Sequence, residues 1–317
     1  MKNLAVIIVN WNTKNLLRDC LNSIKKETHK YSYTIYVVDN NSPDNSAAMV
    51  REEFPDVRLI ANSDNRGFAA ANNQALRIAD EEFLLLLNPD TIVINNALDR
   101  MIDFLVKRRD IGILTCKLLN QDKTLQKSVN NFFSLSRSMF ENRFFADIFK
   151  NFGSKSDFFM SYWDHSSSRS IDWSYGAVML FSRDVCDKVG LLDEKFFIYA
   201  EEMDYYIRVK KAGFTSYFLS DVEIIHLGKS SSRQRRGEMF IQNYKSFYIF
   251  LRKHYSSFTF NAYRIRTTFF LFLWIVKFFI SVQADKLLNK ESEENRIQLK
   301  VYFQTFKWHL TPNNFRF

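Results

Sequence analysis

The fold is decided by the stretch Leu84-Leu85-Leu86-Leu87-Asn88-Pro89-Asp90-Thr91. Four consecutive leucines predict a strand that is buried on both faces, as at the centre of a parallel sheet. The Asn-Pro-Asp turn that follows places a carboxylate at the carboxyl end of this strand, which is the edge where open α/β sheets bind ligands. Such a carboxylate suits a hard divalent cation that holds phosphate groups. Taken alone, however, the stretch is better explained as a strand that simply ends in a turn.

Strand-like and helix-like segments alternate on both sides of the leucine stretch. Apolar runs predict strands at residues 4–9, 34–38, 57–61, 111–114 and 216–225, and helical spacing marks residues 16–24, 47–54, 68–79, 97–106 and 201–213. Repeated strand–helix units of this length predict an α/β fold with a parallel, right-handed, doubly wound sheet. Residues 129–171 break the pattern, because they are rich in Phe, Ser and Asn without a sustained period. We expect long loops and short helices over the active face there.

Charge divides the chain into two parts. The 317 residues carry a net charge of +9, but residues 226–317 alone hold 16 Lys and Arg against 5 Asp and Glu. The basic character therefore belongs to the tail. We expect a catalytic domain over residues 1–235 and a basic, aromatic-rich helical region over residues 236–317. No nucleic-acid-binding module accompanies the basic residues, so nucleic acid is the weaker explanation of the charge.

The most apolar part of the tail is Thr267–Val282. It contains Lys277 and is shorter than the ~18–20 residues that a membrane span needs. Basic residues flank it on both sides, which is typical of a helix that lies in the membrane interface while its Lys and Arg side chains reach the lipid headgroups. A core helix packed on the sheet domain is the alternative, and a true span is the third.

Cysteine usage indicates a protein without disulfides. Cys20, Cys116 and Cys186 are odd in number and lack paired spacing, so we expect buried, reduced thiols in a cytosolic protein. The apolar N-terminus resembles a short signal peptide, but Asn10-Trp11-Asn12 interrupts it and no small-residue cleavage site follows. We therefore predict a first buried strand there.

Seven short motifs follow one another along the first 230 residues. They are Ile7-Ile8-Val9-Asn10-Trp11-Asn12, Val37-Val38-Asp39-Asn40-Asn41-Ser42, Asn65-Arg66-Gly67-Phe68-Ala69-Ala70-Ala71-Asn72-Asn73, Leu87-Asn88-Pro89-Asp90-Thr91, Trp173-Ser174-Tyr175-Gly176-Ala177, Phe196-Phe197-Ile198-Tyr199-Ala200-Glu201-Glu202-Met203-Asp204 and His226-Leu227-Gly228-Lys229-Ser230. Each motif alone is weak. In this order they resemble the inverting glycosyltransferases of family 2, and most closely its bacterial rhamnosyltransferase-like members. The resemblance implies a GT-A fold, which is a Rossmann-like, mostly parallel sheet flanked by helices.

The resemblance implies a donor site at three strand ends and one loop, formed by Asn10, Trp11, Asp39, Asn65, Gly67, Asn88 and Asp90. Asp39 resembles the aspartate that accepts the N3–H of uracil or thymine, with helix capping as the alternative. Asn65 and Gly67 resemble a loop that lets the backbone approach the nucleotide, which a side chain at Gly67 would obstruct. An ordinary glycine turn is the alternative.

A metal site is also implied, with Mg²⁺ or Mn²⁺ as the cofactor. Asp90 resembles the metal-binding end of the family's Asp-X-Asp motif. The first position of that motif is Asn88 here, a neutral amide that binds a cation more weakly than a carboxylate does, or faces the donor sugar instead. His226 matches a position that completes the metal shell in some relatives, although a histidine at a strand end is otherwise usually structural.

The acidic cluster at residues 201–204 resembles the family's Glu-Asp-X-Asp helix start, whose second acid is the general base. That position is Glu202, and Glu201 is implied to contact the acceptor. Inversion needs one base that takes the proton of the acceptor hydroxyl while this hydroxyl attacks the anomeric carbon. Acids at a helix start also suit the helix dipole, however, and the spacing of Asp204 and Arg208 predicts a structural ion pair.

Two further groups complete the predicted site. Trp173 and Tyr175, beside Gly176, are candidates for stacking on the acceptor sugar, with ordinary burial as the alternative. Lys229 and Arg233 follow His226 and are predicted to close over a diphosphate, with a solvated basic loop as the alternative.

The sequence thus predicts a metal-assisted, inverting glycosyltransferase at the inner face of the cell membrane. It would use a nucleoside-diphosphate sugar, dTDP-rhamnose or a UDP-sugar, and extend a cell-surface glycan or its lipid-linked precursor. A nucleotidyltransferase should show a glycine-rich, lysine-bearing loop after the first strand, and Asn10-Trp11-Asn12-Thr13 has neither. A non-catalytic, membrane-associated nucleotide-sugar-binding protein stays open, because Asn88 and Glu202 depart from the family's pattern.

Overall fold

The computed structural model describes residues 3–135, 163–228, 236–288, 290 and 292–315. These residues belong to two compact units. The first comprises residues 3–132 and 163–228, and the second comprises residues 133–135 and the described residues between 236 and 315. The domain boundary predicted at residue 235 lies outside the described residues.

Within the described part of the first unit, ten strands form one mixed sheet. Its main path in spatial order is β3 (Arg58–Ala61), β2 (Ser32–Asp39), β1 (Asn3–Asn10), β4 (Phe83–Leu87), β11 (Val178–Ser182), β6 (Ile111–Leu119), β12 (Thr215–His226) and β5 (Thr91–Val93). Two short strands extend it, β7 (Leu125–Gln126) beside β6 and β9 (Arg169–Ile171) beside β12. A separate antiparallel pair consists of β8 (Val129–Asn130) and β10 (Trp173–Ser174).

The sheet is mostly parallel where the sequence alternation is regular. Strands β1 to β4 all run in one direction, and Asn10 and Asp39 are paired at the carboxyl ends of β1 and β2. Two strands of the main path depart from the predicted parallel arrangement, since β11 is antiparallel to β4 and β5 is antiparallel to β12. The short strands β7 and β9 are also antiparallel to their neighbours. Strand β5 follows β4 after only the turn at residues 88–90. That turn is too short for the crossover that parallel strands require, so β5 pairs antiparallel with a distant strand instead.

Helices flank the sheet at α1 (Lys14–Glu27), α2 (Ser46–Glu53), α3 (Phe68–Ile78), α4 (Ala97–Lys107), α5 (Arg183–Val189) and α6 (Glu201–Lys211). The four leucines of β4 are at most 2% exposed, which confirms a strand buried on both faces. Full burial of one such side chain stabilises the fold by roughly 1.5–3 kcal/mol. The three cysteines are free and buried, as predicted.

The stretch over residues 129–171 was predicted to be loops and short helices. Its described ends instead contain the short strands β8 and β9, and β8 pairs with β10 just ahead of the Tyr175–Ala177 turn. Residues 136–162 lie outside the described part of the chain. The expected cover over the active face therefore stays a prediction.

The second unit is helical and aromatic. It contains α7 (Arg236–His254), α8 (Ser257–Leu287), α9 (Glu293–Leu310) and a final 3₁₀ turn at Pro312–Phe315. Tyr248 is fully buried in its core, where its ring contacts Phe260 and Phe315 and its hydroxyl lies 3.0 Å from His309 Nε2. Edge-to-face aromatic packing thus contributes to the core of this unit, beside buried aliphatic side chains such as Leu251 and Leu271.

Helix α8 is longer than the apolar stretch that predicted it. Its 31 residues make it the one helix in the described chain that is long and apolar enough to cross a membrane. The length argument against a span therefore does not apply to this helix. Only 17% of its most apolar window is buried, which speaks against a buried core helix. The exposed apolar side chains form one row, here called the α8 face, made of Ile265, Phe269, Phe272, Val276, Phe279 and Ile280.

Candidate active site

The carboxyl ends of β1 and β2 are joined by a buried hydrogen-bond network. The Asn10 amide donates to Asp39 Oδ1 at 2.8 Å and to Ser42 Oγ at 3.1 Å, and the Ser42 backbone N–H donates to Asp39 Oδ2 at 3.0 Å. Asp39 is only 3% exposed. Both carboxylate oxygens of Asp39 thus already accept hydrogen bonds within the protein. A hydrogen bond from a nucleotide base would use a remaining lone pair of one of them. Trp11 follows Asn10 and is half-buried.

Position 67 requires a glycine because the backbone of Phe197 packs closely against it. The φ of Gly67 is +83°, and a Cβ there would lie 2.3 Å from the carbonyl oxygen of Phe197. The Phe68 N–H donates to that same oxygen at 2.6 Å. The side chain of Asn65 is exposed and accepts the Gly67 N–H at 3.0 Å. The structure therefore gives this glycine a packing reason, and the approach of a nucleotide to its backbone stays a prediction.

The motif at residues 65–73 also fixes the segment that leads into α6. The Asn73 amide nitrogen donates to the Leu192 carbonyl and to Glu194 Oε1, both at 2.9 Å, and Asn73 Oδ1 accepts the Leu192 N–H at 3.0 Å. Together with the Gly67–Phe197 contact, these bonds fix residues 192–197 against α3. The start of α6 is therefore positioned by a motif more than 120 residues away.

Asp90 and His226 are brought together by the pairing of β5 with β12, in which Thr91 lies opposite His226. His226 Nε2 is 3.3 Å from Asp90 Oδ1 and 3.4 Å from the side-chain nitrogen of Asn88. Two ligands that each lie ~2.1 Å from one ion stand about 3.0–3.4 Å apart, so this pair fits a shared divalent cation. The structure thus brings together Asp90 and His226, the two residues predicted for the metal site, and places Asn88 beside them.

A metal at this position would need further ligands. Among the described residues, no group of three or more His, Cys, Asp and Glu side chains is arranged to hold a metal. Asp90 and His226 therefore supply two ligands, which suits an ion whose remaining positions are taken by phosphate oxygens and water. The other ring nitrogen of His226, Nδ1, lies 2.6 Å from Gln126 Oε1. Gln126 was not predicted, because it lies in a two-residue strand with no sequence signal.

Glu201 and Glu202 begin α6 after two left-handed residues, Tyr199 (φ 71°) and Ala200 (φ 66°). Such backbone is strained in non-glycine residues and often marks functional sites. Glu201 is 4% exposed, and burial together with the charge of Glu202 raises its pKa well above the usual range. Burial raises the pKa of Glu202 to about 7. Neither Glu201 Oε2 nor Glu202 Oε2 has a hydrogen-bond partner within the described chain.

Glu202 is the more exposed residue of the two, although its unpaired Oε2 is itself buried. A carboxylate with a pKa near 7 and an unpaired oxygen suits a general base. Glu201 is too deeply buried to reach an acceptor as predicted without movement of its neighbours. Asp204 is fully buried and its Oδ2 accepts from Arg208 Nε at 2.8 Å, which confirms the predicted ion pair.

The Gly176–Ala177 turn connects the acidic pair to the metal site. A Cβ on Gly176 would lie 3.6 Å from Glu202 Cβ, and the carbonyl of Ala177 accepts the Asn88 N–H at 3.0 Å. Two consecutive residues thus touch the start of α6 on one side and the Asn88–Asp90 turn on the other. The arrangement places a base and a candidate cation site on either side of one short turn.

The two predicted stacking aromatics differ in exposure. Trp173 is 5% exposed and its indole N–H donates to the Asn131 carbonyl at 2.8 Å, so its face is not available to a sugar. Tyr175 is 39% exposed and packs edge-on against Trp173. The structure therefore corrects the prediction for Trp173, whose buried ring packs against Tyr175 instead of facing a sugar. Lys229 and Arg233 lie outside the described residues.

Comparison with known proteins agrees with this geometry. The family model described as Glycosyl transferase family 2 matches residues 5–176. The N-acetylglucosaminyl-diphospho-decaprenol L-rhamnosyltransferase of Mycobacterium tuberculosis is 24% identical over 267 residues, which cover 80% of this chain and 85% of that protein. Rhamnosyltransferase WbbL of Escherichia coli is 24% identical over 256 residues, which cover 78% of this chain and 92% of that protein.

Two solved structures show the same fold. The mannosyltransferase PcManGT of Pyrobaculum calidifontis, in complex with GDP-Man and Mn²⁺, matches with a TM-score of 0.55 and 16% identity, over 97% of this chain and 86% of that one. GalNAc-T7, with UDP, GalNAc and Mn²⁺, matches with a TM-score of 0.52 and 14% identity. The latter match covers 71% of this chain and 43% of that one.

Proposed function

The chain belongs to glycosyltransferase family 2, and on this premise we propose that it is a metal-assisted, inverting enzyme with Glu202 as the general base. The observation that carries this proposal is the Gly176–Ala177 turn, which contacts Glu202 on one side and the Asn88–Asp90 turn on the other. A base for the acceptor and a cation for the leaving group are the two functions that an inverting transfer needs.

The chemistry follows from these positions. Glu202 accepts the proton of the acceptor hydroxyl as the hydroxyl oxygen bonds to the anomeric carbon. The bond between that carbon and the diphosphate oxygen breaks, and the electron pair leaves with the diphosphate. A cation held by Asp90 and His226 would neutralise charge on this leaving group. Both Mn²⁺ and Mg²⁺ suit carboxylate and phosphate oxygens, and Mn²⁺ is present in the two similar structures.

We propose dTDP-rhamnose or a UDP-sugar as the donor. Its base would be recognised by Asp39, at the buried ends of β1 and β2. The support is that two relatives similar over most of the chain are named rhamnosyltransferases. We further propose a hydroxyl of a glycan or of a lipid-linked diphosphate sugar as the acceptor. One of those relatives is named for such a lipid, N-acetylglucosaminyl-diphospho-decaprenol.

A lipid-linked acceptor fits a protein that sits on a membrane, and we place this chain on its inner surface through the α8 face. Phe269 and Phe279 on that face are 55% and 54% exposed. The exposed cations Lys286, Arg296 and Lys300 lie on α8 and α9 and would attract anionic headgroups. An apolar row with cations beside it is typical of a helix in the membrane interface.

The first experiment tests the donor and the metal together. We expect Mn²⁺ to raise the melting temperature of the wild-type protein in the presence of dTDP or UDP, since a ligand bound only to the folded state stabilises it. Asp90→Ala should lose this metal-dependent increase and keep the fold, because Asp90 lies in the turn between β4 and β5 and not in the apolar core. Incubation with dTDP-rhamnose and a short-chain N-acetylglucosaminyl-diphospho-lipid should then give a rhamnosylated product.

Two results would contradict the proposal. An Asp90→Ala variant with an undiminished metal-dependent shift would remove Asp90 from the site. A wild-type protein that binds the nucleotide but transfers no sugar from any dTDP- or UDP-sugar would instead favour a non-catalytic binding protein.

A further inference from the structure

The orientation of the His226 ring is set by a chain of hydrogen bonds across the β6–β7 turn. His226 Nδ1 lies 2.6 Å from Gln126 Oε1. The Gln126 side-chain nitrogen donates to Asn120 Oδ1 at 3.0 Å and to the His226 carbonyl oxygen at 2.9 Å. Because both partners of that nitrogen are acceptors, the amide oxygen is the atom that faces the ring, and Nδ1 must carry the proton that it accepts.

The direction of this chain is fixed at its far end by a carboxylate. The Asn120 side-chain nitrogen donates to Thr124 Oγ1 at 2.9 Å, and the Thr124 hydroxyl donates to Asp122 Oδ1 at 2.6 Å. The hydrogen bonds from Thr124 lower the pKa of Asp122, so at neutral pH this carboxylate can only accept. The hydrogen bonds that link His226 Nδ1 to Asp122 through Gln126, Asn120 and Thr124 therefore all run in one direction, and reversal of either amide would break two bonds.

The consequence appears at the other nitrogen of the ring. With the proton on Nδ1, a neutral His226 presents the lone pair of Nε2 to Asp90 Oδ1, 3.3 Å away. The Asn88 side-chain nitrogen lies 3.4 Å from the same Nε2 and can share its lone pair, but it supplies no positive charge beside Asp90. A cation between Nε2 and Oδ1 would supply that charge. Metal-binding histidines typically donate their second ring N–H to an acceptor in this way, which fixes the ring for the metal. Gln126 occupies the place of that acceptor.

We propose that Gln126 is a positioning residue that holds His226 in the Nδ1–H tautomer and turns Nε2 toward a divalent cation shared with Asp90. This inference rests on the metal site of the proposed function. A purely structural role is the competing explanation, in which Gln126 serves only as a donor that ties the β6–β7 turn to the His226 backbone.

Two substitutions separate the roles. Gln126→Glu loses the amide donor but keeps an oxygen that accepts from Nδ1, whereas Gln126→Leu loses both. We expect the Leu variant to weaken Mn²⁺ binding by ~10–100-fold, as is typical when the partner of a metal-binding histidine is removed. The Glu variant should bind Mn²⁺ at least as well as the wild type, since a carboxylate is the stronger acceptor. The Mn²⁺ dissociation constant would be measured by electron paramagnetic resonance on the full-length protein.

A second readout does not depend on metal. In ¹⁵N-histidine NMR spectra of the metal-free protein near pH 8, the wild type and Gln126→Glu should show His226 protonated at Nδ1, and Gln126→Leu should show a mixture of tautomers. Gln121→Ala is the matched control, because it changes an exposed side chain of the same turn while the hydrogen-bond chain from His226 to Asp122 stays intact. It should change Mn²⁺ affinity by less than about threefold. Circular dichroism melting establishes that all variants are folded.

The outcomes are distinct. Equal Mn²⁺ affinity in Gln126→Leu and wild type overturns the proposal, and so does an equal loss in folded Gln126→Glu and Gln126→Leu, since that pattern follows from the donor alone. A wild-type protein that shows the Nδ1–H tautomer but binds no Mn²⁺ refutes the metal site itself, and with it this role for Gln126.

Discussion

The two adjacent acids at the start of α6 differ in burial, and this difference assigns their roles. Glu202 is the more exposed residue, and burial raises its pKa to about 7. Only the ionised carboxylate accepts a proton, so wild-type turnover should increase with pH up to about 7 and then level off. In Glu202→Gln we expect turnover to fall by roughly 10²–10⁴-fold and this pH dependence to disappear, while the donor dissociation constant stays the same.

Glu201→Gln is the matched control, because it changes the neighbouring acid in the same way. It should reduce turnover far less, since Glu201 is 4% exposed and cannot reach an acceptor hydroxyl. Steady-state kinetics from pH 5 to 9 on both variants would decide between them. If Glu201→Gln is the variant that loses turnover while Glu202→Gln stays active, the two roles are exchanged.

The sequence predicted residues that meet at the strand ends, such as Asn10 with Asp39 and Asp90 with His226, but not the partners that orient them. The Asp204–Arg208 pair follows from helical spacing alone, and the structure confirms it. Burial decides other cases, and burial at short strands is not visible in the sequence, which is why Trp173 was mistaken for a stacking platform. Gln126 could not be found at all, because its role depends on a ring that is 100 residues away in the chain.

Elements are positioned by contacts that span long stretches of sequence, and α3 is the clearest example. Asn73 makes three hydrogen bonds to Leu192 and Glu194, which fix the segment leading into α6. We expect Asn73→Ala to lower the free energy of unfolding by about 1–3 kcal/mol, because buried backbone groups lose their partners. Turnover should fall further than donor affinity, since the start of α6 carries the base and not the donor site.

Asn72→Ala provides the comparison. Asn72 is equally buried, but its amide donates to the Phe68 carbonyl within the same helix. This variant should leave the ratio of turnover to donor affinity near that of the wild type. Urea unfolding and steady-state kinetics on both variants measure the difference. If Asn72→Ala and Asn73→Ala lose turnover equally, the contact with residues 192–194 does not position α6.

The sheet shows which elements a sequence can predict. Buried strands and their helices in the first 120 residues follow from apolar periodicity, and each predicted helix there is present. Strand β5 was missed, since three residues after a turn carry no periodicity. The antiparallel pairing of β5 with β12 was missed for the same reason, although it is the contact that brings Asp90 and His226 together.

Taken as a whole, the chain joins a nearly neutral catalytic unit to a basic helical one, and the second unit cannot simply be deleted to test its role. The buried Tyr248 of α7 contacts Phe260 of α8 and Phe315 of the last turn. Truncation after α7 would expose this aromatic core and cause aggregation for reasons unrelated to membranes. Substitutions on the α8 face avoid the problem, because its side chains already face outward.

The final prediction concerns that face. The double variant Phe269→Glu with Phe279→Glu should lose at least about tenfold in affinity for anionic vesicles, since burial of one phenylalanine is worth ~1.5–3 kcal/mol. Asn261→Glu with Gln283→Glu adds the same charge at exposed polar positions of the same helix and controls for electrostatic repulsion. Co-sedimentation with vesicles measures binding, and melting curves check the fold. Equal binding of the two double variants, or a wild-type protein that ignores the vesicles, would show that the α8 face does not contact lipid.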